Sequence, residues 1–430
     1  MLKIVRRIKK AALRRMRLAI TKHIKINQKY KPIGVKELRS KDVTGVEILE
    51  INPPYTSTLD HLDPKFLDDC SPYSRPAHSV QYPGDYIATI KNGRIFAADI
   101  NNFAVISSDN YLLDEVSFQW IDSLVDAKEN TALKIKAFTK PKKYKGRVFS
   151  LLSLGASKHY YYHWVFDSIA KLYMLKKSGL FDKVDYFLVP NYQYQYNKDY
   201  LTHFGIDESK IINEEEVHHV EADYLMVASL VRIQDHLPKV FCDFFYDSFI
   251  NAIGKKRNQS GKKIYIARGD AARSRKVNNE SELIAVLKKL GFEIYYLSKL
   301  SVLDQARIFN SADLIVAVHG GGFSNLVFCE PGTKVLEIYP DQYVRHYFGD
   351  ISVKKELVYD YILCKSDGIA HDHFVGELMG LTVDIDAVMN RIKVLDPSLE
   401  VPIPAAPTKI LPFPAANPNA RSMSFFKKSG

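Results

Sequence analysis

A strand-length apolar run that ends in three glycines constrains the fold of this 430-residue chain more than any other feature. The run Leu314–Val318 contains only aliphatic residues, as expected of a central parallel strand that is buried on both faces. His319 and the glycines 320–322 follow directly, and an amphipathic stretch starts after them. Glycines let a backbone approach a phosphate group closely, and a helix beginning here would offer free N–H groups. The loop from His319 to Asn325 therefore predicts a phosphate-binding site, with a plain strand-to-helix turn as the alternative.

Strands and helices alternate on both sides of this loop. Before it, apolar runs of strand length recur between helical segments from Val148 to Ile253, and a second set starts at Lys263. Alternation of this kind predicts parallel sheets with crossover helices, the α/β fold class. Residues 79–118 differ, because short β-type runs alternate there with turn pairs such as Asn92-Gly93 and predict a β-meander.

These patterns divide the chain into five segments. The polar, glycine-bounded stretch 254–261 predicts a hinge between two domains. Seven of the nineteen prolines lie in the segment 396–430 and exclude a helix or an interior strand there. The predicted segments are a basic amphipathic arm (1–31), an irregular lead-in (32–78), an N-terminal domain (79–253), a C-terminal domain (262–395) and a proline-rich tail (396–430).

The net charge of +11 is confined to the N-terminal arm. Residues 1–31 hold twelve Lys or Arg and no Asp or Glu, whereas the remainder holds 48 basic and 49 acidic residues. The globular body is therefore not a basic nucleic-acid surface. Apolar residues such as Ile4, Ile8 and Ala12 share one face of a helix in the arm, with Lys and Arg largely opposite. This pattern favours attachment to an anionic membrane surface, with a solvated helix or packing on a partner as the alternative.

Other function classes find no support in the sequence. No stretch reaches the roughly 18 to 20 apolar residues of a membrane-spanning helix. The four cysteines have no short repeat spacing, so they predict no zinc knuckle, and a reducing compartment is the simplest interpretation, with a single long-range disulfide as the alternative. His371 and His373 are closely spaced but lie in a polar stretch, which favours an exposed loop over a metal-ligand pair. No metal site is predicted.

Arginines follow a second strand end. Arg268 comes directly after the strand predicted over 263–267, and Arg273 and Arg275 lie just beyond it. Guanidinium groups bind phosphate oxygens bidentately, and the carboxyl ends of parallel strands share one sheet edge. We therefore expect these side chains beside the glycine loop, with solvated loop charges as the alternative. Glu337, near the end of the next strand, needs a partner because an unpaired buried carboxylate is costly; a ribose diol, a neighbouring Arg or an N–H group would serve.

One helical segment in the N-terminal half carries an imidazole and a carboxylate. His163 and Asp167 are four residues apart within the helix predicted over 160–177, and so share a face. If this face borders a cleft, either group could remove a proton from a hydroxyl. The alternative is a hydrogen-bonded pair that stabilises the core.

Taken together, these motifs resemble glycosyltransferase family 61. The resemblance spans roughly residues 80–365 and is strongest between 262 and 340, where several motifs occur in the family's order and spacing. One position, Gly322, departs from the family, whose members often carry Ala-Gly rather than Gly-Gly. The residues that carry the resemblance are His163-Trp-Val-Phe-Asp167, Arg268, Ala272, Arg273, Arg275, Asn279, Glu280, Gly291-Phe-Glu293, Gln305, Ala312, His319, Gly320, Gly321, Asn325, Pro331, Gly332 and Glu337.

The resemblance implies a GT-B fold, in which two Rossmann-like domains face each other across a cleft. It also implies an inverting, metal-independent enzyme without a cofactor, which transfers a sugar from a nucleotide-sugar donor to a glycan or other hydroxyl acceptor. The donor would bind the C-terminal domain and the acceptor the N-terminal domain. The implied donor contacts are Arg268, Arg273, Arg275, His319, Gly320, Gly321, Gly322, Asn325 and Glu337.

The same resemblance assigns chemistry to further residues. Asp167, or failing that His163, would be the catalytic base, and Asn279 and Glu280 would lie near the acceptor or behind the donor site. Together with the basic arm, the resemblance implies assembly of a cell-surface polysaccharide such as a capsule, on a glycan or lipid-linked acceptor, at the cytoplasmic face of the inner membrane. The alternatives are a non-catalytic nucleotide-sugar-binding scaffold of the same pathway, and a retaining or other nucleotide-dependent enzyme.

Overall fold

The computed structural model describes residues 28–99, 102–121, 123–135, 138–153, 160–254, 261–269 and 275–399. Three predicted segments fall largely outside these ranges: the amphipathic helix of the N-terminal arm (1–27), the hinge (255–260) and the proline-rich tail (from 400). The described part combines β-sheets with helices, which confirms the predicted α/β class. No helix within it is both long and apolar enough to cross a membrane. All four cysteines are free and buried.

Most strands of the N-terminal half form one large mixed sheet, the first sheet, and two others form a small separate pair. The pair consists of β3 (Tyr55–Thr58) and β4 (Ser79–Tyr82). The first sheet holds twelve described strands. They are β1 (Val35–Lys36), β2 (Val46–Asn52), β5 (Asp85–Lys91), β6 (Arg94–Asp99), β7 (Asn102–Ile106), β8 (Leu112–Leu113), β9 (Phe118–Ile121), β10 (Ser123–Leu124), β11 (Lys142–Ser150), β12 (Tyr186–Val189), β13 (Ile211–Asn213) and β14 (His219–Ala228).

The parallel part of the first sheet reverses its order between two strands. β11 pairs in parallel with β12 on one side and with β14 on the other, and β13 extends the sheet beyond β12. In chain order this arrangement reads 4-1-2-3, so the reversal lies between β11 and β14. In open α/β sheets, a crevice for ligands forms at the carboxyl ends of the strands that flank such a reversal.

The predicted β-meander is present, with one change in its pairing. β6 pairs antiparallel with β7, which continues to β8 and β9. β5 and β6, joined by the Asn92-Gly93 turn, pair antiparallel with successive stretches of β14. Asn92 takes a left-handed φ of 52° at this turn. Side chains of the meander strands then cover one face of β11 and β14.

The prediction that residues 32–78 form an irregular lead-in is wrong. β2 pairs antiparallel with β5 along most of its length and so belongs to the first sheet. Its sequence places Val46, Ile48 and Ile51 among Glu and Asn residues, which is close to the period-two alternation of a half-buried strand. The surrounding prolines and acidic residues obscured this short signal.

A second sheet belongs to the C-terminal half. Its order is 2-1-3-4-5 for the first five strands, all parallel, with a short antiparallel strand at the edge. This is a doubly wound order, and its reversal lies between the first and the third strand. The strands are β15 (Lys263–Ile266), β16 (Phe292–Tyr295), β17 (Leu314–Val318), β18 (Lys334–Pro340), β19 (Val358–Ser366) and β20 (Leu381–Thr382).

Helices connect these strands and cover the sheets. The sequence predicted those between 160 and 311, and it missed the helices at either end of the described chain. The α-helices are α1 (Pro64–Asp69), α2 (Tyr161–His163), α3 (Lys171–Lys177), α4 (Gln195–His203), α5 (Lys239–Ile253), α6 (Glu280–Lys289), α7 (Val302–Ser311), α8 (Tyr347–Lys354), α9 (His373–Leu378) and α10 (Ile385–Leu395).

The helix predicted over 160–177 forms in three parts. A six-residue π-helix, Trp164–Ile169, separates α2 from α3, and every residue in it is buried. Widened turns of this kind are rare and occur frequently at functional sites. The π-helix contains Asp167, one of the two predicted base candidates.

The segment after the glycine loop also differs from the prediction. Gly321–Phe328 is a 3₁₀-helix, and the six residues from Phe323 to its end are all buried. The stretch is therefore apolar and enclosed on all sides instead of amphipathic. It packs against α5, α7 and α8, so that helices from both halves surround it.

One hydrophobic cluster extends across both large sheets. It contains Phe149 and Met226 from the first sheet together with Ile264 and Ile315 from the second. The two halves of the chain therefore share a core, and the predicted bounds of two separate domains stay a prediction.

Replacing Phe249 tests this shared core. Phe249, on α5, is fully buried, and its ring centroid lies 4.8 Å from that of Phe328. We expect Phe249→Ala to lower the free energy of unfolding by about 3–5 kcal/mol. Because the core is common to both sheets, thermal unfolding should show one transition that shifts as a whole. Phe374→Ala, at a side chain 62% exposed, is the control and should change stability by less than about 0.5 kcal/mol. Two transitions, of which only one shifts, would contradict a shared core.

Candidate functional site

In the second sheet, the predicted phosphate-binding elements flank the reversal point. Arg268 follows the end of β15, and the glycine loop, residues 320–322, follows the end of β17. The two are in contact, because a Cβ added to Gly320 would collide with Nη1 of Arg268. The structure therefore brings Arg268 beside the glycine loop, as the parallel strands predicted.

The glycine loop is closely packed, because neighbouring residues leave little room for side chains at its positions. Its three glycines lack the left-handed φ that would by itself favour glycine, and Gly320 is extended with φ 167°. A Cβ on Gly322 would lie 2.9 Å from Cδ1 of Leu297, and one on Gly321 would lie 3.6 Å from Cβ of Tyr161. The glycines thus make room for protein neighbours, including the Arg268 guanidinium, at the point where strand, loop and α2 meet.

Asn325 links the two halves of the chain. Its Oδ1 accepts a hydrogen bond from the Tyr161 hydroxyl at 2.9 Å, and its Nδ2 donates to Oε1 of Gln305 at 2.8 Å. Gln305 in turn donates to the carbonyls of Leu297 and Leu300. The fully buried amide of Asn325 is already used by these protein contacts. The geometry favours a positioning role for Asn325 over the predicted contact with a donor.

His319 and Glu337 form a buried pair under the loop. Nδ1 of His319 lies 2.5 Å from Oε1 of Glu337, and the Tyr359 hydroxyl donates to Oε2 at 2.7 Å. Burial raises the pKa of Glu337 to about 8, against smaller opposing effects of Tyr359, Tyr339 and Arg275. Burial also holds the pKa of His319 well below its usual value. Both groups are therefore neutral at pH 7, and the carboxyl proton is donated to Nδ1, which leaves the His319 Nε2–H as a donor.

Three arginines surround His319. After burial, the positive charges of Arg275, Arg345 and Arg268 are the main causes of its lowered pKa. Arg275 is 7% exposed, and its Nε and Nη1 find no hydrogen-bond partner among the described residues. Its guanidinium lies 5.0 Å from the ring centroid of Tyr343. Arg273, the third arginine predicted here, lies outside the described residues. The site is thus strongly cationic, with a buried guanidinium available to an anion.

Asn279 and Glu280 hold this region in place. Nδ2 of Asn279 donates to the carbonyl of Val383, and Oδ1 accepts from the Val383 N–H. Oε1 of Glu280 accepts from the Arg268 N–H at 2.6 Å and from the Tyr265 hydroxyl at 3.1 Å. Of the two predicted roles, these contacts favour support behind the donor site over contact with an acceptor.

A second set of polar side chains lies at the reversal point of the first sheet. Nδ1 of His163 is 2.6 Å from Oδ2 of Asp167, which confirms that the two share a face. Arg232, in the loop after β14, binds the same carboxylate through Nε to Oδ1 at 2.6 Å and through Nη2 to Oδ2 at 3.0 Å. Asp167 and Arg232 are both buried, whereas the His163 side chain is 26% exposed. The pair is thus completed by an arginine that the sequence analysis did not select.

The protonation states in this group follow from its charges. Burial alone would raise the pKa of Asp167, but Arg232 and His163 outweigh it and lower the pKa to about 2. Because an ionised carboxylate only accepts hydrogen bonds, Nδ1 of His163 must carry the proton that it shares with Asp167. In the neutral form of the ring, Nε2 of His163 then holds the lone pair, and this nitrogen has no hydrogen-bond partner among the described residues. His163 is oriented to accept a proton, whereas Asp167 is occupied and weakly basic.

Ion pairs connect this group to the C-terminal half. Nη1 of Arg232 donates to Oδ1 of Asp235 at 3.1 Å, and Oδ2 of Asp235 accepts from Nη2 of Arg345 at 2.9 Å. Nη1 of Arg345 also lies 3.3 Å from Nδ1 of His373, which starts α9 and does not lie in the exposed loop predicted for it. Within the described residues, no three His, Cys, Asp or Glu side chains gather as metal ligands. Arg232, Asp235 and Arg345 were missed because their partners are distant in sequence, although Arg232 shows the same strand-end signal as Arg268.

Comparison with known proteins finds one family whose profile matches part of the chain. The sequence profile of the family described as Glycosyltransferase 61 matches residues 161–336, which include most residues of both sets but not Glu337 or Arg345. The EGF domain-specific O-linked N-acetylglucosamine transferase of Bos taurus is 36% identical over 70 residues, 15% of this chain and 13% of that protein. The xylan glycosyltransferase MUCI21 of Arabidopsis thaliana is 29% identical over 93 residues, 20% of this chain and 19% of that protein. The beta-1,2-xylosyltransferase RCN11 of Oryza sativa subsp. japonica is 38% identical over 60 residues, 14% of this chain and 11% of that protein.

These alignments cover less than a fifth of each of the three relatives named. The relatives are all sugar transferases by name, and two of the names mention different targets, an EGF domain and xylan. The family match lies where the sequence motifs predicted it, and it supports glycosyl transfer as the activity. Residues 161–336 thus match the same family that the sequence motifs resemble, glycosyltransferase family 61.

Proposed function

We propose that the protein is an inverting glycosyltransferase that moves a sugar from a nucleotide-sugar donor to a hydroxyl group of an acceptor. One observation carries the proposal: a cationic, glycine-bordered site at the reversal point of one sheet adjoins an imidazole–carboxylate pair at the reversal point of the other. α2 joins them, because Tyr161 at its start contacts Gly321 and Asn325, and His163 at its end contacts Asp167. A donor group and a proton acceptor can therefore meet without large rearrangement.

The donor diphosphate would lie between Arg268, Arg275 and the glycine loop. As the sugar leaves, negative charge develops on the diphosphate oxygen. Fixed guanidinium groups and backbone N–H groups stabilise such charge in a site that excludes water. The His319 Nε2–H is a further donor there, because Glu337 fixes its tautomer. These groups supply the charge compensation that a metal ion provides in other transferases, which supports a metal-independent reaction.

His163 would be the base, with Asp167 as the group that orients it. This exchanges the order of the two predicted candidates, and the reason is the bidentate contact of Asp167 with Arg232. Nε2 of His163 would take the proton from the acceptor hydroxyl while its oxygen bonds to the anomeric carbon on the face opposite the diphosphate. The carbon–oxygen bond to the diphosphate breaks, and its electron pair stays on the leaving oxygen. Configuration at the anomeric carbon is inverted.

The proposed domain roles and cellular location rest on the family resemblance and on the basic N-terminal arm. A GT-B arrangement would place the donor on the second sheet and the acceptor on the first, in line with the two reversal points. We also propose that residues 1–31 bring the protein to an anionic membrane at its cytoplasmic face, where a glycan or lipid-linked acceptor of surface polysaccharide assembly would be extended.

Two substitutions test the base. We expect His163→Ala to reduce transfer by about 10²–10⁴-fold, the usual contribution of a general base, while donor affinity changes little. Asp167→Asn should reduce transfer comparably, because a neutral amide no longer favours the Nδ1–H tautomer. Transfer is measured as release of nucleotide from a panel of nucleotide sugars with membrane-derived acceptors, and donor affinity by calorimetry. High activity of His163→Ala would exclude this base, and donor binding by the wild type without any release would favour a scaffold.

Loss of Arg275 tests the donor site. Its buried Nε and Nη1, which have no hydrogen-bond partner among the described residues, should bind diphosphate oxygens through charge-assisted hydrogen bonds worth about 1.5–3 kcal/mol each. We therefore expect Arg275→Gln to weaken donor binding by at least about tenfold. Arg307→Gln is the matched control, because Arg307 is exposed on α7 and paired with Asp304. Equal donor affinity in the Arg275 variant and the control would exclude the phosphate role.

The neutral His319–Glu337 pair has a pH signature. The pKa of Glu337 rises from 4.5 in the unfolded chain to about 8 in the folded one. The folded protein therefore binds more protons between these values, so this group's contribution to stability falls as pH rises through that window. Glu337→Gln removes the titration but keeps a neutral hydrogen-bonding group. We expect the melting temperature of the variant, relative to wild type, to increase steadily from pH 5 to pH 8. A constant difference over this range would show that Glu337 is ionised in the folded protein.

A further inference from the structure

A cavity of about 480 Å³ lies at the reversal point of the first sheet. Its lining includes Ser150 and Leu152 at the end of β11, and Val227 and Ala228 at the end of β14. The meander closes the opposite side with Phe103, Val116 and Phe118 among others. This size falls within the range of about 300–1,000 Å³ for small-molecule sites. The cavity therefore occupies the position where an α/β sheet binds its ligand, and no residue discussed above as a donor contact lines it.

Lys171 connects the cavity with the proposed base. It lines the cavity and is 3% exposed, and its Nζ donates to the carbonyl of Leu152. It stands four residues after Asp167, at the start of α3, which follows the π-helix. Burial lowers the pKa of Lys171 to about 8, with Asp167 opposing, so the ammonium is largely protonated at pH 7. An ammonium has three donors, and the single carbonyl contact found among the described residues leaves two for a ligand.

Charge in the cavity is separated between its inner end and its outer wall. Lys171 is the buried cation, whereas Glu37, Asp114, Glu115 and Asp126 lie on the more exposed wall together with the exposed Lys128. An anionic ligand would face a wall with four carboxylates and one exposed lysine, and a cationic ligand would face the buried ammonium of Lys171. A neutral ligand with many hydroxyl groups matches both ends, because hydroxyl oxygens accept from Lys171 and hydroxyl protons are donated to carboxylates.

We propose that this cavity binds an uncharged sugar unit of the acceptor, next to the hydroxyl that His163 deprotonates, and that Lys171 is its main polar contact. The acceptor is then a neutral saccharide and not a peptide side chain. This inference rests on the proposed function, but it concerns a separate set of residues. It also gives a role to the buried Lys171, which has no part in the proton transfer proposed for His163.

Lys171→Met tests the polar contact, and Val125→Trp tests occupancy, because Val125 lies on the wall and is only partly buried. The probes are neutral trisaccharides of xylose, glucose and N-acetylglucosamine, a galacturonic acid trisaccharide, a glucosamine trisaccharide and a serine-containing peptide. Binding without donor is followed by saturation-transfer NMR. Transfer is followed through the acceptor KM, and donor hydrolysis without acceptor reports the donor site separately. Lys355→Met is the control, since Lys355 is also buried with a lowered pKa but does not line the cavity.

We expect neutral saccharides alone to bind, and both cavity variants to raise the acceptor KM at least tenfold with unchanged donor hydrolysis. The control should behave as wild type. Preference for the acidic, the amino or the peptide probe would overturn the proposal, as would an unchanged KM in Val125→Trp. If the wild type releases no nucleotide from any donor, with or without acceptor, the proposed function fails, and the NMR experiment still decides whether the cavity binds sugar. If Lys171→Met does not fold, Val125→Trp carries the test.

Discussion

The buried carboxylate of Asp167 is the interaction on which the rest of the site depends. A charge this enclosed is tolerated only with close partners, and breaking a buried pair is far more costly than its net contribution to stability suggests. Arg232 supplies two hydrogen bonds and His163 a third. Arg232 also reaches Asp235, which holds Arg345 from the opposite half. One desolvated charge therefore determines the tautomer of His163, the position of the loop after β14, and the alignment of that loop with the second sheet.

The structure contains two imidazole–carboxyl pairs with opposite protonation. Asp167 is ionised because a guanidinium binds it directly, and the imidazole next to it keeps a lone pair for chemistry. Glu337 is protonated because it is buried against tyrosines without a direct cation, and the imidazole next to it offers an N–H instead. The same two functional groups, an imidazole and a carboxyl group, thus give a proton acceptor at one sheet and a hydrogen-bond donor at the other. The difference comes from the surroundings of each carboxyl group, since the residue types alone do not determine it.

Local patterns predicted the framework well. Leu314–Val318 and Lys239–Ile253 form as predicted, because their apolar periodicity is strong and uninterrupted. Arg268 and the glycine loop meet because parallel strands bring their carboxyl ends to one edge. What the sequence did not reveal depends on distant partners: Asp167 and Arg232 are 65 residues apart, and Asp235 and Arg345 are 110 apart. The role of the glycines was only half predicted, since their need for space is set by Arg268 and Leu297. β2 was missed because its alternation is short and interrupted.

The cluster of apolar side chains common to both sheets has a consequence for how such a chain can vary. A transferase whose halves were independent could exchange one of them with a relative and so combine a new acceptor preference with an old donor preference. Here Phe328, from the segment after the glycine loop, packs against Phe249 of the other half, and Asn325 is tied to Tyr161. A half taken from a relative would lack the surface that packs against the other half. New specificity in this architecture must therefore arise by changes within loops and cavity walls, with the two halves inherited together.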